Sequence, residues 1–253
     1  MKTDKLKAAI KTYQKLSQNF IDYEKYNYYA ITHHSTAIEG STLTESQVIN
    51  LLEYGKTANK TFAELLMVSD HFKALVFVVE EAKKKREITP EFIREINAKI
   101  MQNTGSIIHT ALGEYDSSKG DFRLSMVRAG TRTFPDFKKV PDLVKQLCKE
   151  IQQSIKKAKS LEQKIQIAFK IHFDLVSIHP FADGNGRTSR LLMNYVLAYF
   201  KMPLFMVFKK DRISYIETLE ETRKKENINI FYDFMLNAYL SFLKKEIQDF
   251  KKN

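Results

Sequence analysis

The residues best suited to chemistry lie together in Ile178-His179-Pro180-Phe181-Ala182-Asp183-Gly184-Asn185-Gly186-Arg187-Thr188-Ser189-Arg190. Two of the chain's eight glycines stand one residue apart here, between a proline-bearing turn and the apolar run LLMNYVLAYF. A Gly-Asn-Gly turn feeding a helix presents unpaired backbone N–H groups and the positive end of the helix dipole, which suits an anion such as phosphate. Arg187 and Arg190, three apart on the first turns of that helix, predict two guanidinium groups reaching one polyphosphate. Asp183 is a hard oxygen ligand for a magnesium ion that would bridge phosphates, and His179 is a candidate general base near neutral pH.

Such a loop needs rigid elements on both sides, and the composition supplies helices. The chain has 253 residues with eight glycines and five prolines, enough for a sizeable core and too few breakers for many loops. Its charge of +11 favours an anionic partner without choosing one. The single cysteine, Cys148, excludes a disulfide framework and fits a reducing compartment. No apolar run approaches the roughly 20 residues of a membrane span. The N-terminus interleaves lysines where an export signal would be apolar, so the expected location is cytoplasmic.

Periodicity predicts helices over about 5–29, 61–85, 90–103, 140–158, 161–177, 186–200, 211–225 and 229–249. A break falls near Glu39-Gly40, and Thr44 with Gln47 forms a capping-box pattern before a further helix. Between Gly113 and Pro135, Phe122, Leu124 and Met126 alternate with Arg123, Ser125 and Val127, predicting one β-hairpin in an otherwise helical protein. The basic runs, such as Lys83 to Arg86, sit near predicted helix ends and read as solvated termini.

His179 to Arg187 reads HPFADGNGR, which resembles the signature of Fic domains at every fixed position, and the similarity continues through Arg190 to Asn194. The resemblance implies a mainly α fold, a Fic-type helical bundle with one β-hairpin flap, and transfer of AMP from ATP to a Tyr, Thr or Ser hydroxyl of a target protein. ATP is then the implied substrate and Mg2+ the implied cofactor. Ser35-Thr36-Ala37-Ile38-Glu39-Gly40 resembles the family's inhibitory motif, which implies that Ser35, Glu39 and Gly40 belong to a built-in brake. On that basis residues 1–60 form an N-terminal helical segment carrying the brake and 61–253 the core, together one compact unit.

The stretch 113–135 resembles the flap on which a target segment lies, bringing Gly130 and Thr131 into the nucleotide-binding set. Tyr215 and Leu219 fit the family's adenine pocket. Ile216 stands where a second aromatic is common and Arg223 where an asparagine is common, so the nucleobase is less constrained than the phosphates.

The expected mechanism has Gly184, Asn185 and Gly186 holding the α- and β-phosphates, Asp183 binding magnesium, Arg187 on the β-phosphate and Arg190 on the γ-phosphate. His179 takes the hydroxyl proton as pyrophosphate leaves. Phe181 is expected to pack and fix the loop. Glu39 paired with Arg190 would occupy the γ-phosphate's place, or would orient water for the reverse removal of AMP. The expected partner is a protein bearing a surface hydroxyl, with self-modification and a second copy of the chain as further partners. Transfer of UMP, phosphate or phosphocholine is the alternative. A nucleic-acid-binding regulator is disfavoured, because no recognition helix and no aromatic residues interleave with the basic runs.

Overall fold

The computed structural model describes residues 2–20, 22–56, 59–129 and 132–252. Among them are ten α-helices and four short strands: α1 Lys2–Ser17, α2 Tyr23–Ile38, α3 Glu45–Tyr54, α4 Phe62–Lys83, α5 Pro90–Ile100, β1 Ile107–Thr110, β2 Gly113–Asp116, β3 Arg128–Ala129, β4 Arg132–Thr133, α6 Val140–Lys157, α7 Leu161–Ile178, α8 Asn185–Tyr199, α9 Arg212–Lys224 and α10 Ile228–Phe250. The helical class with an antiparallel hairpin is as expected.

Helix starts follow local chemistry. The Thr44 hydroxyl accepts from the Gln47 N–H while the Gln47 side chain accepts from the Thr44 N–H, closing the predicted capping box. Thr89 caps α5 just ahead of Pro90, whose missing N–H costs nothing at a first helical position. Ser160 and Gln163 make a second capping box at the head of α7. At the centre lies α8, in which every residue from Arg187 to Leu197 is buried, with α4, α5 and α7 packed around it. Its C-terminal half, residues 191–197, is almost wholly apolar, while the polar groups of its first turns are largely met by hydrogen bonds within the protein. One core cluster runs from Leu6 and Tyr13 on α1 through α8 to Phe242 on α10. Cys148 lies in this core, where burial pushes its thiol up to about 12, so it is unreactive at neutral pH.

Three features differ from the periodic reading. The helix expected over 5–29 is two, α1 and α2, joined by a turn in which Asp22 takes a left-handed conformation with φ 60°. No Gly or Pro marks this break. Phe20 and Tyr23 instead pack their rings on Phe250 at centroid distances of 4.9 and 4.8 Å, a tertiary demand invisible to local spacing.

The described residues also hold two hairpins, in separate two-stranded sheets. The first pairs Ile107 with Asp116 through Thr110 with Gly113, and the second pairs Arg128 with Thr133 and Ala129 with Arg132. Phe122 to Met126, the alternating run, is not strand. Arg123 there is turned inward and only 1% exposed, because its polar groups are claimed by backbone carbonyls of three segments. No helix of the described residues is long and apolar enough to cross a membrane.

Candidate active site

The loop between α7 and α8 is held from within. His179 ends α7 with φ 54° and ψ 60°, and Gly184 opens α8 with φ 79°. A side chain at Gly184 would be strained there and would press on Asn97 Nδ2, at 2.7 Å from the added carbon. The Asn97 amide donates to the Asp183 carbonyl and to Thr188 Oγ1, both at 3.1 Å, tying α5 to the loop. Asn185 is 2% exposed and turned back on the loop: its Oδ1 accepts from Phe181 N at 3.0 Å and its Nδ2 donates to Phe181 O at 2.9 Å. Its side chain therefore braces the turn, and only its backbone can face a ligand. Phe181 is buried against Phe122, as expected of a packing residue.

The two arginines stand differently. Arg187, 3% exposed, donates from Nη2 to Asp183 Oδ2 at 3.1 Å, while its Nε and Nη1 are buried with no partner. Unpaired buried guanidinium donors are costly, and an anion would satisfy them. Arg190 is satisfied: Nε donates to Ser35 Oγ and Nη2 to Ser35 O, both at 2.9 Å, and Nη2 donates to Glu39 Oε1 at 2.7 Å. Burial works against the Arg190 charge, but Glu39 beside it holds the guanidinium above its ordinary pKa.

A methyl group at Gly186 would collide with Glu39 Oε1, so the carboxylate rests directly against the glycine backbone. Ser35, Glu39, Gly186 and Arg190 are thus one assembly across α2 and α8. Gly40, with φ 107°, lets the chain leave α2 just after Glu39, and its N–H donates to Ala37 O at 3.2 Å.

His179 stands at the other end of the α7–α8 loop. Its ring stacks on Phe134, with centroids 3.8 Å apart and planes inclined by 23°. Burial, opposed by the Val176 carbonyl and reinforced by Arg132, Arg123 and Arg223, lowers the imidazole to about 4. The ring is therefore neutral at pH 7, the form a base requires.

Tyr215 on α9 is buried and its hydroxyl meets His172 Nε2 at 2.8 Å, so it supports the site from behind, whereas Ile216 is 38% exposed at the surface. Arg223 donates to Ser177 Oγ at 3.0 Å and to Glu220 Oε1 at 3.0 Å, a carboxylate that also takes Arg132. Gly130 and Thr131 lie outside the described residues. Asp183 is 70% exposed at its side chain, and among the described residues no group of three His, Cys, Asp or Glu could enclose a metal ion. Asn97 did not emerge from the sequence, and Arg123 and Phe134 were read only as part of the flap stretch, not as partners of His179. Asn97 left a trace, as a polar residue among Ile93, Ile96 and Ile100 on the buried face of α5.

Residues 87–197 match the model of the Fic/DOC family. The chain carries a Fic domain. Protein adenylyltransferase Fic of Drosophila persimilis is 29% identical over 199 residues, covering 78% of this chain and 36% of its own length. The same-named protein of Drosophila willistoni is 28% identical over 219 residues, covering 86% and 41%. The chain thus spans about two fifths of the length of these curated relatives. A Fic domain containing signaling protein from Bacteroides thetaiotaomicron superposes with a TM-score of 0.84 at 23% identity, over 98% of this chain and 97% of that one. A Fic family protein from Desulfovibrio desulfuricans superposes with a TM-score of 0.74 at 20% identity, over 97% and 74%. These likenesses show that the chain has the same fold as those two proteins.

Proposed function

We propose that the protein is an adenylyltransferase that moves AMP from ATP onto a Tyr, Thr or Ser hydroxyl of a target protein. The observation that carries this reading is Arg187, whose Nε and Nη1 are buried without partners at the start of α8, one loop along the chain from a neutral His179. With His179 Nδ1 buried, Nε2 is the nitrogen left for an incoming hydroxyl. It accepts the hydroxyl proton, the oxygen bonds to the α-phosphorus, and the bond from that phosphorus to pyrophosphate breaks. The N–H groups at the start of α8 and Arg187 hold the phosphates in line.

Asp183 is the residue that would hold Mg2+. A single, largely exposed carboxylate fits an ion that takes one or two protein oxygens and completes its shell with phosphate oxygens and water. When bound, the ion would neutralise charge building on the departing pyrophosphate.

Glu39 is the brake in this reading. Its carboxylate sits on Arg190 and Gly186, where the γ-phosphate would otherwise go, and two anions on one arginine repel. The division near residue 60 follows: the segment before it supplies the carboxylate, and the rest supplies the cradle and the base. Incubation with α-labelled ATP and Mg2+ tests the proposal. Wild type should label weakly, Glu39→Gly strongly, including on itself, and His179→Ala not at all; labelling by His179→Ala at the wild-type level would refute it.

A further inference from the structure

Arg123 is among the largest fully buried side chains of the protein, and no carboxylate lies within ion-pair distance of it among the described residues. Its guanidinium is spent on three carbonyls instead. Nε donates to His179 O at 2.9 Å, Nη1 to Ser125 O at 2.8 Å and Nη2 to Pro135 O at 2.6 Å, and its backbone N–H donates to Pro180 O at 3.0 Å. These acceptors come from three segments: the catalytic loop, the entry to the β3–β4 hairpin and its exit. The aromatic contacts run along the same joint, Phe122 on Phe181 at 5.6 Å and Phe134 on His179 at 3.8 Å between centroids.

We infer that Arg123 is the positioning residue for His179, clamping the histidine's left-handed backbone to the base of the β3–β4 hairpin so that the imidazole and the hairpin keep one fixed relation. This inference rests on His179 being the base.

Three features support it. A non-glycine residue at φ 54° is in a sparsely populated region and persists only where its surroundings over-determine it. His179 N already donates to Leu175 O at 2.9 Å, and Arg123 fixes the carbonyl on the other side of the same residue. The planar fork also suits the task. One guanidinium presents five donors in a rigid plane, so it can hold three carbonyls in fixed relation, which a lysine ammonium on a flexible stem does not. Finally, the Arg123 charge is one of those that oppose protonation of the His179 ring, so the same side chain sets the ring's place and favours its neutral form.

Arg123→Lys and Arg123→Gln separate position from charge. Lysine keeps the cation and loses the fork; glutamine loses both. Misplacing a reacting group by about 1 Å costs on the order of 100-fold. For AMP transfer from ATP to the protein itself in the Glu39→Gly background, we expect kcat to fall at least about 10-fold for Arg123→Lys and about 100-fold for Arg123→Gln. KM for ATP should stay within about threefold, because the phosphate cradle is untouched.

The acid limb of the pH profile, and the His179 titration followed by NMR, should move upward for Arg123→Gln and stay in place for Arg123→Lys. Circular dichroism and thermal melting establish that each variant is folded; should Arg123→Gln fail to fold, Arg123→Lys carries the test alone. Wild-type kcat in a folded Arg123→Lys protein overturns the inference, as does a loss confined to KM. His179→Ala run in parallel reports on the underlying reading: transfer by that variant overturns the role of His179 as base, whereas the kcat and titration results judge Arg123.

Discussion

Replacing Glu39 with glutamine removes one charge and almost no volume, so it isolates the ion pair with Arg190. The Arg190 side chain is 4% exposed and that of Glu39 34% exposed, and one hydrogen bond of 2.7 Å joins them. A hydrogen bond to a charged group contributes about 1.5–3 kcal/mol, and solvent reaching one partner reduces this to about 1–2 kcal/mol here. In a domain of this size that corresponds to a melting temperature about 2–6 °C lower for Glu39→Gln without nucleotide. Under the proposed competition for Arg190, a γ-phosphate that displaces the carboxylate forfeits the same free energy, so its removal should tighten ATP binding by about 5- to 30-fold.

AMP has no γ-phosphate and makes no demand on Arg190, so its affinity should not change. Isothermal titration of both variants with ATP, ADP and AMP, alongside melting scans with and without each nucleotide, measures every term. Equal gains for ATP and AMP, or no gain for ATP despite the lower melting temperature, would refute competition between Glu39 and the γ-phosphate. The ion pair would then be structural.

Two further outcomes are expected. Asn97→Ala removes both bonds that pin the loop to α5, at the Asp183 carbonyl and at Thr188, and should lower stability by about 1–3 kcal/mol and weaken ATP binding, checked by urea unfolding and titration. Stability should also fall with acid: His179 and His34 are lowered to about 4 from 6.5, chiefly by burial, and His71 and His172 well below it. Because the unfolded chain binds protons that these buried rings refuse, stability is full above pH 6.5 and declines as pH drops toward 4, with a slope approaching about 1.4 kcal/mol per pH unit for each ring. Urea midpoints that stay level between pH 7 and pH 5 would contradict the burial of neutral histidines.

Much of the site was legible because its chemistry is local. Gly184, Asn185 and Gly186 mark a turn into a helix by composition alone, and His179 to Arg190 span one loop and the first turns of α8. Helices α4 to α10 fall within a few residues of their periodic positions, since an amphipathic stripe and a capping residue act over a few neighbours. The Ser35 to Gly40 motif marked Glu39, and the structure brings it to Arg190 from 151 positions away. Other features left weaker marks. The break at Asp22 serves aromatic packing on Phe250, the β1–β2 hairpin begins ahead of the stretch in which a hairpin was expected, and the alternation around Arg123 suggested a strand where the side chain is drawn inward.

The sequence by itself determined a helical protein with a Gly-Asn-Gly turn feeding a helix and a carboxylate motif far upstream, because residue type, glycine placement and helical period are properties of neighbouring residues. Tertiary structure alone decided what faces that loop. Asn185 turns in as a brace, Arg187 keeps two unpartnered nitrogens, His179 is made neutral by burial and by arginines from the hairpin and from α9, and Arg123 finds three carbonyls from separate segments. Each of these depends on which distant groups share a desolvated space, where an unmet hydrogen bond or charge costs far more than it does in water.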